Sequence, residues 1–195
     1  MNKLRNLLAL IGLVVIVLVV YSGVKAYPDY QKFKQLDPKA ADVYKEMFDK
    51  LLATGNAAEA TVWKVQVDEG LKPKDVEEIM RFVANEHNIK NVGELPLYKQ
   101  VEAMAGKPYR FAQIYMFCNA MTAARMMDYS DAYSAYLPCR VSLLEDKQGR
   151  LWIYSLNMDL MIYGGKPLPP ELKKEAMQVK EIILDIMNRG AHGEF

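Results

Sequence analysis

The sequence is poor in the residues that most often carry chemistry. Of its 195 residues, two are histidine (His87, His192) and two are cysteine (Cys118, Cys139). With so few histidines, no Ser-His-Asp or Cys-His set can be assembled from spacing. Two cysteines are too few for a disulfide scaffold, and they form neither a Cys-x-x-Cys pair nor a Cys-x-x-Cys-His haem attachment. Net charge is only +1 and no basic stripe is present, so nucleic acid is not an expected partner. Glycine never gathers into a phosphate loop: Gly164-Gly165 stands alone before Lys166 and a proline run. None of these patterns requires a cofactor, and there is no internal repeat or low-complexity tract.

Hydrophobic sequence, by contrast, is concentrated at the N-terminus. Residues 7–24 read LLALIGLVVIVLVVYSGV without a charge. A bilayer core about 30 Å thick is crossed by roughly 20 such residues in a helix. Lys3 and Arg5 precede the run and Lys25 follows it, so the positive-inside rule predicts a cytoplasmic N-terminus. Tyr21 and Tyr27 suit the outer interface. The expected location is the bacterial inner membrane, single-pass, with the C-terminal domain in the periplasm. A cleaved signal is the other reading, with Val24-Lys25-Ala26 as a small-x-small site and export after cleavage near Ala26. The run exceeds the usual signal core of about 7–15 residues, which favours a retained anchor. Residues 1–26 are therefore an anchor or uncleaved signal, 27–58 a juxtamembrane linker and amphipathic helix, and 59–195 a folded domain.

The body reads as α+β, an antiparallel sheet with helices on one face. Asp37-Pro38 opens a helix that stops at Gly55-Asn56, with Val43, Met47 and Leu51 on one face. Residues 61–68 alternate as a half-buried strand around Trp63, Val65 and Val67. Residues 73–87 carry a helical stripe of Val76, Ile79, Met80, Val83 and His87. Residues 91–104 read as a strand irregular at Pro96, and 108–118 as its partner. Asn119 caps a short helix to Tyr129, and a loop rich in Tyr, Ser and Asp leads to Pro138. Residues 139–145 and 151–157 flank a turn at Asp146-Lys147-Gln148-Gly149. Pro169-Pro170 opens a last helix bearing Leu172, Met177, Val179, Ile183, Ile186 and Met187, which ends near Gly190.

Several short motifs occur in order: Phe117-Cys118-Asn119 at a strand end, Leu137-Pro138-Cys139-Arg140-Val141 opening the next strand, Glu145-Asp146 with Gly149, and Asn157-Met158-Asp159 before the closing helix. In these the chain resembles the domain of unknown function family numbered 302, over about residues 59–194. The resemblance implies a fold similar to one TATA-binding-protein-like repeat: strand, helix, a four-stranded antiparallel run and a final helix. It implies no activity, and fold alone supplies none. The family's first motif has Pro where Ala120 stands here.

The candidate residues each have a plain alternative. If the strands ending at Cys118 and starting at Cys139 pair, their separation of about 4.8 Å is near what a disulfide accepts. Three states are open to the pair: a structural disulfide, two buried thiols, or a reactive or ligating pair beside Arg140. Among 12 methionines, Met116, Met121, Met126, Met127, Met158 and Met161 are soft donors of the kind that bind Cu(I), but Met also fills core gaps, as expected of Met121 and Met127. His87 reads as packed at a helix end and His192 as part of a mobile tail. Tyr109, Phe111, Tyr115 and Phe117 share a face expected to lie under the helices, while Trp152 and Tyr154 share another.

Two functions follow. The first is a periplasmic binding or partner-docking module without a catalytic set. It meets a membrane or periplasmic protein partner, or a second copy as a homodimer, through its open sheet face. The alternative is a redox or cofactor (metal or haem) protein using Cys118 and Cys139, with Asn119 and Arg140 beside them and Met116 or Met158 as accessory ligands.

Overall fold

A computed structural model describes residues 2–195. Helix α1, Asn2–Phe33, is long and apolar enough to cross a membrane, and its apolar span is not buried against the rest of the protein. An N-terminal signal sequence has the same character. The expected linker after residue 26 is instead helical as far as Phe33, through Pro28. Exposed Lys32 pairs with Asp29 at 3.2 Å, and the Lys34 N–H reaches the Tyr30 carbonyl at 3.0 Å, so the turns beyond Pro28 keep their own bonds. The helix then gives way to a short turn at residues 34–36.

Asp37 fastens this arm to the body. Its side chain is 1% exposed and paired with Lys173, its N–H donates to the Gly165 carbonyl at 2.8 Å, and its Oδ1 accepts from the Lys39 N–H at 3.0 Å. Burial alone would push the carboxyl up. The Lys173 ammonium and the Lys39 N–H outweigh that and hold it below its ordinary value. Helix α2, Ala40–Thr54, follows and ends at Gly55, whose φ of 64° suits a left-handed cap. It packs on the body through half-buried Val43 and Met47, with Tyr44 reaching the body only by its hydroxyl and Phe48 and Leu52 outward.

One turn of helix, α3 (Ala57–Ala60), precedes a five-stranded antiparallel sheet: β1 Val62–Gln66, β2 Lys90–Leu95, β3 Ala112–Cys118, β4 Cys139–Glu145 and β5 Leu151–Leu156, in spatial order β1-β5-β4-β3-β2. Tyr115, Phe117, Val141, Leu143 and Ile153 point to one face, where α4 (Pro73–Glu86) and α8 (Pro170–His192) bury them. The other face carries Trp152 and Tyr154 beside Ser142, Leu144 and Ile114, all half-buried. The register thus divides the two aromatic sets as alternation requires. Tyr109 and Phe111, however, lie ahead of β3. Phe111 stacks on Tyr98 at 4.9 Å, and Tyr109 is exposed.

Residues 97–104 do not extend a strand. Leu97–Ala105 is helix α5, because Pro96 cannot serve a ladder and Leu97, Val101 and Met104 recur at helical spacing before the left-handed Gly106. Helix α8 does not stop at Gly190. It continues to His192, and Gly190 lies inside it where α8 meets α4; a Cβ there would fall 2.8 Å from Met80 Cγ. Met177 faces outward rather than into the core. Helices α6 (Ala120–Tyr129) and α7 (Asp159–Tyr163) complete the body. A single 3-10 turn, Asp131–Ala135, and a cis Leu137–Pro138 peptide lead from α6 into β4.

Candidate functional site

The sequence-derived site residues gather at one end of the sheet. Asn119 caps α6, its Oδ1 accepting the Thr122 N–H at 3.1 Å, and this places Cys118 and the α6 face over the start of β4. Cys118, Asn119, Cys139 and Met158 line one narrow apolar crevice with Met126 and Phe117. Arg140 opens outward from the far side of Cys139, and its carbonyl accepts the Ser155 hydroxyl at 2.9 Å. Met116 is elsewhere, under the bulge of β2, where its Cε would meet a Cβ on Gly93 at 2.6 Å.

Of the three states open to the pair, the structure has the unbridged one: both cysteines are free. Phe117 is the residue registered against Cys139, so Cys118 lies one position on and is not its direct cross-strand partner, although both reach the crevice at the end of the sheet. Burial, with the neighbouring Cys118 thiol, pushes the Cys139 thiol up to about 11, and burial raises Cys118 as well. Reactive cysteines are tuned the other way. The crevice has a volume of about 30 Å³, far below the roughly 300–1,000 Å³ of ligand pockets. No group of three or more His, Cys, Asp or Glu side chains able to hold a metal occurs among the described residues. Of the methionines, Met126 and Met158 are buried, whereas Met121 and Met127 are exposed rather than gap-filling.

Both histidines are placed differently from expectation. His87 is exposed at the end of α4 and meets Asp185 of α8 at 2.7 Å. His192 ends α8 within 3.1 Å of Asp68, so it belongs to the body and not to a loose tail. A polar network on the edge of the sheet links Tyr115, Glu77, Arg81 and Glu94; Arg81 donates to both Glu94 oxygens at 3.0 and 2.9 Å. Burial, then the Glu77 carboxylate, pushes the Tyr115 hydroxyl far above its ordinary value. These groups satisfy one another.

The open volume is next to the crevice, across Met161. A cleft of about 540 Å³ lies between α2, the Tyr129 to Tyr136 segment and α7. Its walls carry Tyr44, Tyr129, Tyr133 and Tyr136, and Lys166 is its only charged lining residue. Tyr133 donates to the Met161 carbonyl at 3.0 Å and Tyr44 to the Gly164 carbonyl at 2.8 Å. The hydroxyls of Tyr129 and Tyr136 have no hydrogen-bond partner among the described residues. Rings 129 and 133 stand 6.2 Å apart at 49°. Burial raises the Tyr133 hydroxyl, and those of Tyr129 and Tyr136 are close enough to add to it. The sequence carried a signal for this set, since 129, 133 and 136 are spaced i, i+4, i+7, but a loop rich in Tyr, Ser and Asp gave no reason to treat them as one surface.

An antiparallel five-stranded sheet backed by two long helices, with its hollows at one end, makes this an α+β domain. The chain belongs to the family described as "Domain of unknown function DUF302", which matches residues 63–190. It is similar to the crystal structure of an uncharacterized conserved protein DUF302 from Bacillus stearothermophilus. That likeness has 15% identity and a TM-score of 0.54, and covers 66% of this chain and 97% of that one; at this identity it is a likeness of fold. No curated protein matches the chain. Helix α2, and Tyr44 with it, lies ahead of the family segment, so one wall of the cleft comes from outside the family domain.

Proposed function

We propose that this protein is a membrane-tethered periplasmic binding module that holds a small molecule in the tyrosine cleft. The observation that carries the reading is the cleft itself. Its volume falls within the roughly 300–1,000 Å³ of ligand pockets, and its lining is mostly aromatic and apolar with a few polar groups. The charge pattern around residues 7–24 supports an inner-membrane anchor with the body outside the cytoplasm. Cleavage near Ala26 would leave the cleft whole, because α2 begins beyond that point. The raised thiols and the small volume between them speak against a redox or haem role for Cys118 and Cys139.

Native mass spectrometry of the full chain, purified from its own membranes in mild detergent, tests this. A bound small molecule is expected, lost in a Tyr133→Ala/Tyr136→Ala variant and retained in Cys118→Ser/Cys139→Ser. The opposite pattern, or a coloured cofactor that depends on the cysteines, would transfer the function to the redox reading. Protein that carries no small molecule would overturn the cleft as the functional site.

A further inference from the structure

The geometry points to a ligand class: we infer that the cleft is selective for a planar aromatic anion. This rests on the reading of the cleft as a binding site. The rings supply the first half of the argument. Tyr129 and Tyr133 present tilted faces 6.2 Å apart, within the spacing at which aromatic groups attract one another, and Tyr44 and Tyr136 add two further rings. A flat ring system gains contact with several of these at once. A flexible alkyl chain meets the same walls at the cost of its own rotational freedom.

Charge supplies the second half. No Asp or Glu lines the cleft, and Lys166 is exposed at its rim with no carboxylate partner among the described residues. The hydroxyls of Tyr129 and Tyr136 are two further donors not used by the protein. A carboxylate or sulfonate finds an ammonium and O–H donors there. A cation can gain from the tyrosine faces, but it meets the Lys166 ammonium and no carboxylate.

The rim is also held in place before any ligand arrives. Lys166 follows Gly164-Gly165; the Gly164 carbonyl accepts from Tyr44, and the Gly165 carbonyl accepts from the Asp37 N–H at 2.8 Å. Asp37 is itself anchored to Lys173. A Cβ at Gly164 would fall 2.4 Å from the Leu160 carbonyl oxygen, so this close approach needs glycine. The arm that leads out of α1 therefore fixes the backbone from which Lys166 projects at the rim, which lowers the cost of ordering that segment on binding.

The test is calorimetry on the full chain in detergent, with empty micelles as reference. Four probes are compared: 2-naphthoate, naphthalene-2-carboxamide, 2-naphthylmethylammonium and cyclohexanecarboxylate. The expected result is that 2-naphthoate binds about tenfold or more tightly than the other three, a difference of about 1.4 kcal/mol. Lys166→Glu should abolish its advantage over the ammonium probe, while circular dichroism stays unchanged because Lys166 is exposed. Tyr44→Phe should weaken 2-naphthoate several-fold by releasing the rim. Equal binding of the carboxamide, or no effect of Lys166→Glu, would overturn the anion preference and leave the cleft as a site. Equal binding of cyclohexanecarboxylate would overturn the aromatic preference. If no probe binds at all, both this inference and the cleft reading fall.

Discussion

Two hollows share Met161 and are otherwise opposites. The first, about 30 Å³, is narrow and lined by Cys118, Cys139, Met126 and Met158; the second, about 540 Å³, is wide and lined by tyrosine. The residue types associated with redox and metal chemistry have gone into packing, and the residue types of a loop have formed the usable space. What separates them is solvent. Sulfur side chains packed on α8 lose the stabilised thiolate that reactivity needs. Tyr44 and Tyr133 donate their hydroxyls to backbone carbonyls while Tyr129 and Tyr136 keep theirs, so the set as a whole retains flat surfaces and free donors.

The largest expected effect sharpens this contrast. Met158→Ala, in the narrow crevice, should cost about 2–4 kcal/mol of stability, because the packed wall cannot collapse fully onto the space left. Tyr136→Ala, in the open cleft, should cost less than about 1 kcal/mol. Denaturant unfolding of the two variants reads the difference; equal losses would break the comparison.

Thiol labelling comes next. At pH 8 Cys139 should react on the order of a hundredfold more slowly than a free thiol, since burial holds its ionisation near 11, and it should become accessible on unfolding. Cys118, less buried, should be slowed to a smaller degree. Mass spectrometry of the non-reduced protein should find two free thiols. An intact bridge would show that the crevice is a covalent clasp and not a dry contact.

A smaller loss is expected at the pin of the cleft's rim. Lys173→Met leaves the Asp37 carboxyl buried without its cation, at a cost of about 1–3 kcal/mol. Asp37→Asn/Lys173→Met should recover part of it. A Lys173→Met variant as stable as the parent would mean that the arm is held by other contacts, such as Tyr44 on Gly164.

The smallest effect is that of pH, read first at Asp37, the carboxylate that pins the rim of the open cleft. Asp37 ionises more easily folded than unfolded, so its contribution is fully present above about pH 4 and is lost as pH falls below that. Asp146 behaves alike at the hairpin. Burial pushes its carboxyl up, but the N–H groups of Gln148 and Arg150, the Arg150 guanidinium and the Trp152 indole hold it well below the ordinary range. Thermal midpoints should be flat from pH 7 to about 5 and drop in more acid solution. Asp37→Asn/Asp146→Asn should flatten that drop; an unchanged slope would place the acid sensitivity elsewhere.

Much of the architecture could be read along the chain, for local reasons. Strand β1 alternates, α4 carries Val76, Ile79, Met80 and Val83 on one stripe, Asn119 is a side-chain cap, and Asp146 with Gly149 closes a hairpin. Local signals misled where two periods overlap. Residues 97–104 suit a strand until Pro96 is treated as a boundary, and the Gly190 that reads as a stop is a packing glycine facing Met80. His87 fits the apolar stripe of α4 by number, yet the end of the helix turns it out to Asp185.

By itself the sequence determined the class of domain, the apolar N-terminal helix and the main apolar stripe of α4 and β1, because these depend on periodicity, length and capping within a few residues. Tertiary structure alone decided what the site is. The register that sets Phe117, and not Cys118, against Cys139 comes from pairing across the sheet, and so do the free thiols. The cleft depends on Tyr44 meeting Gly164, a contact spanning 120 residues, and on Asp37 reaching Lys173 across 136. Contacts of that range leave no periodic trace in the chain, because they arise only when separate elements are brought together by a common core.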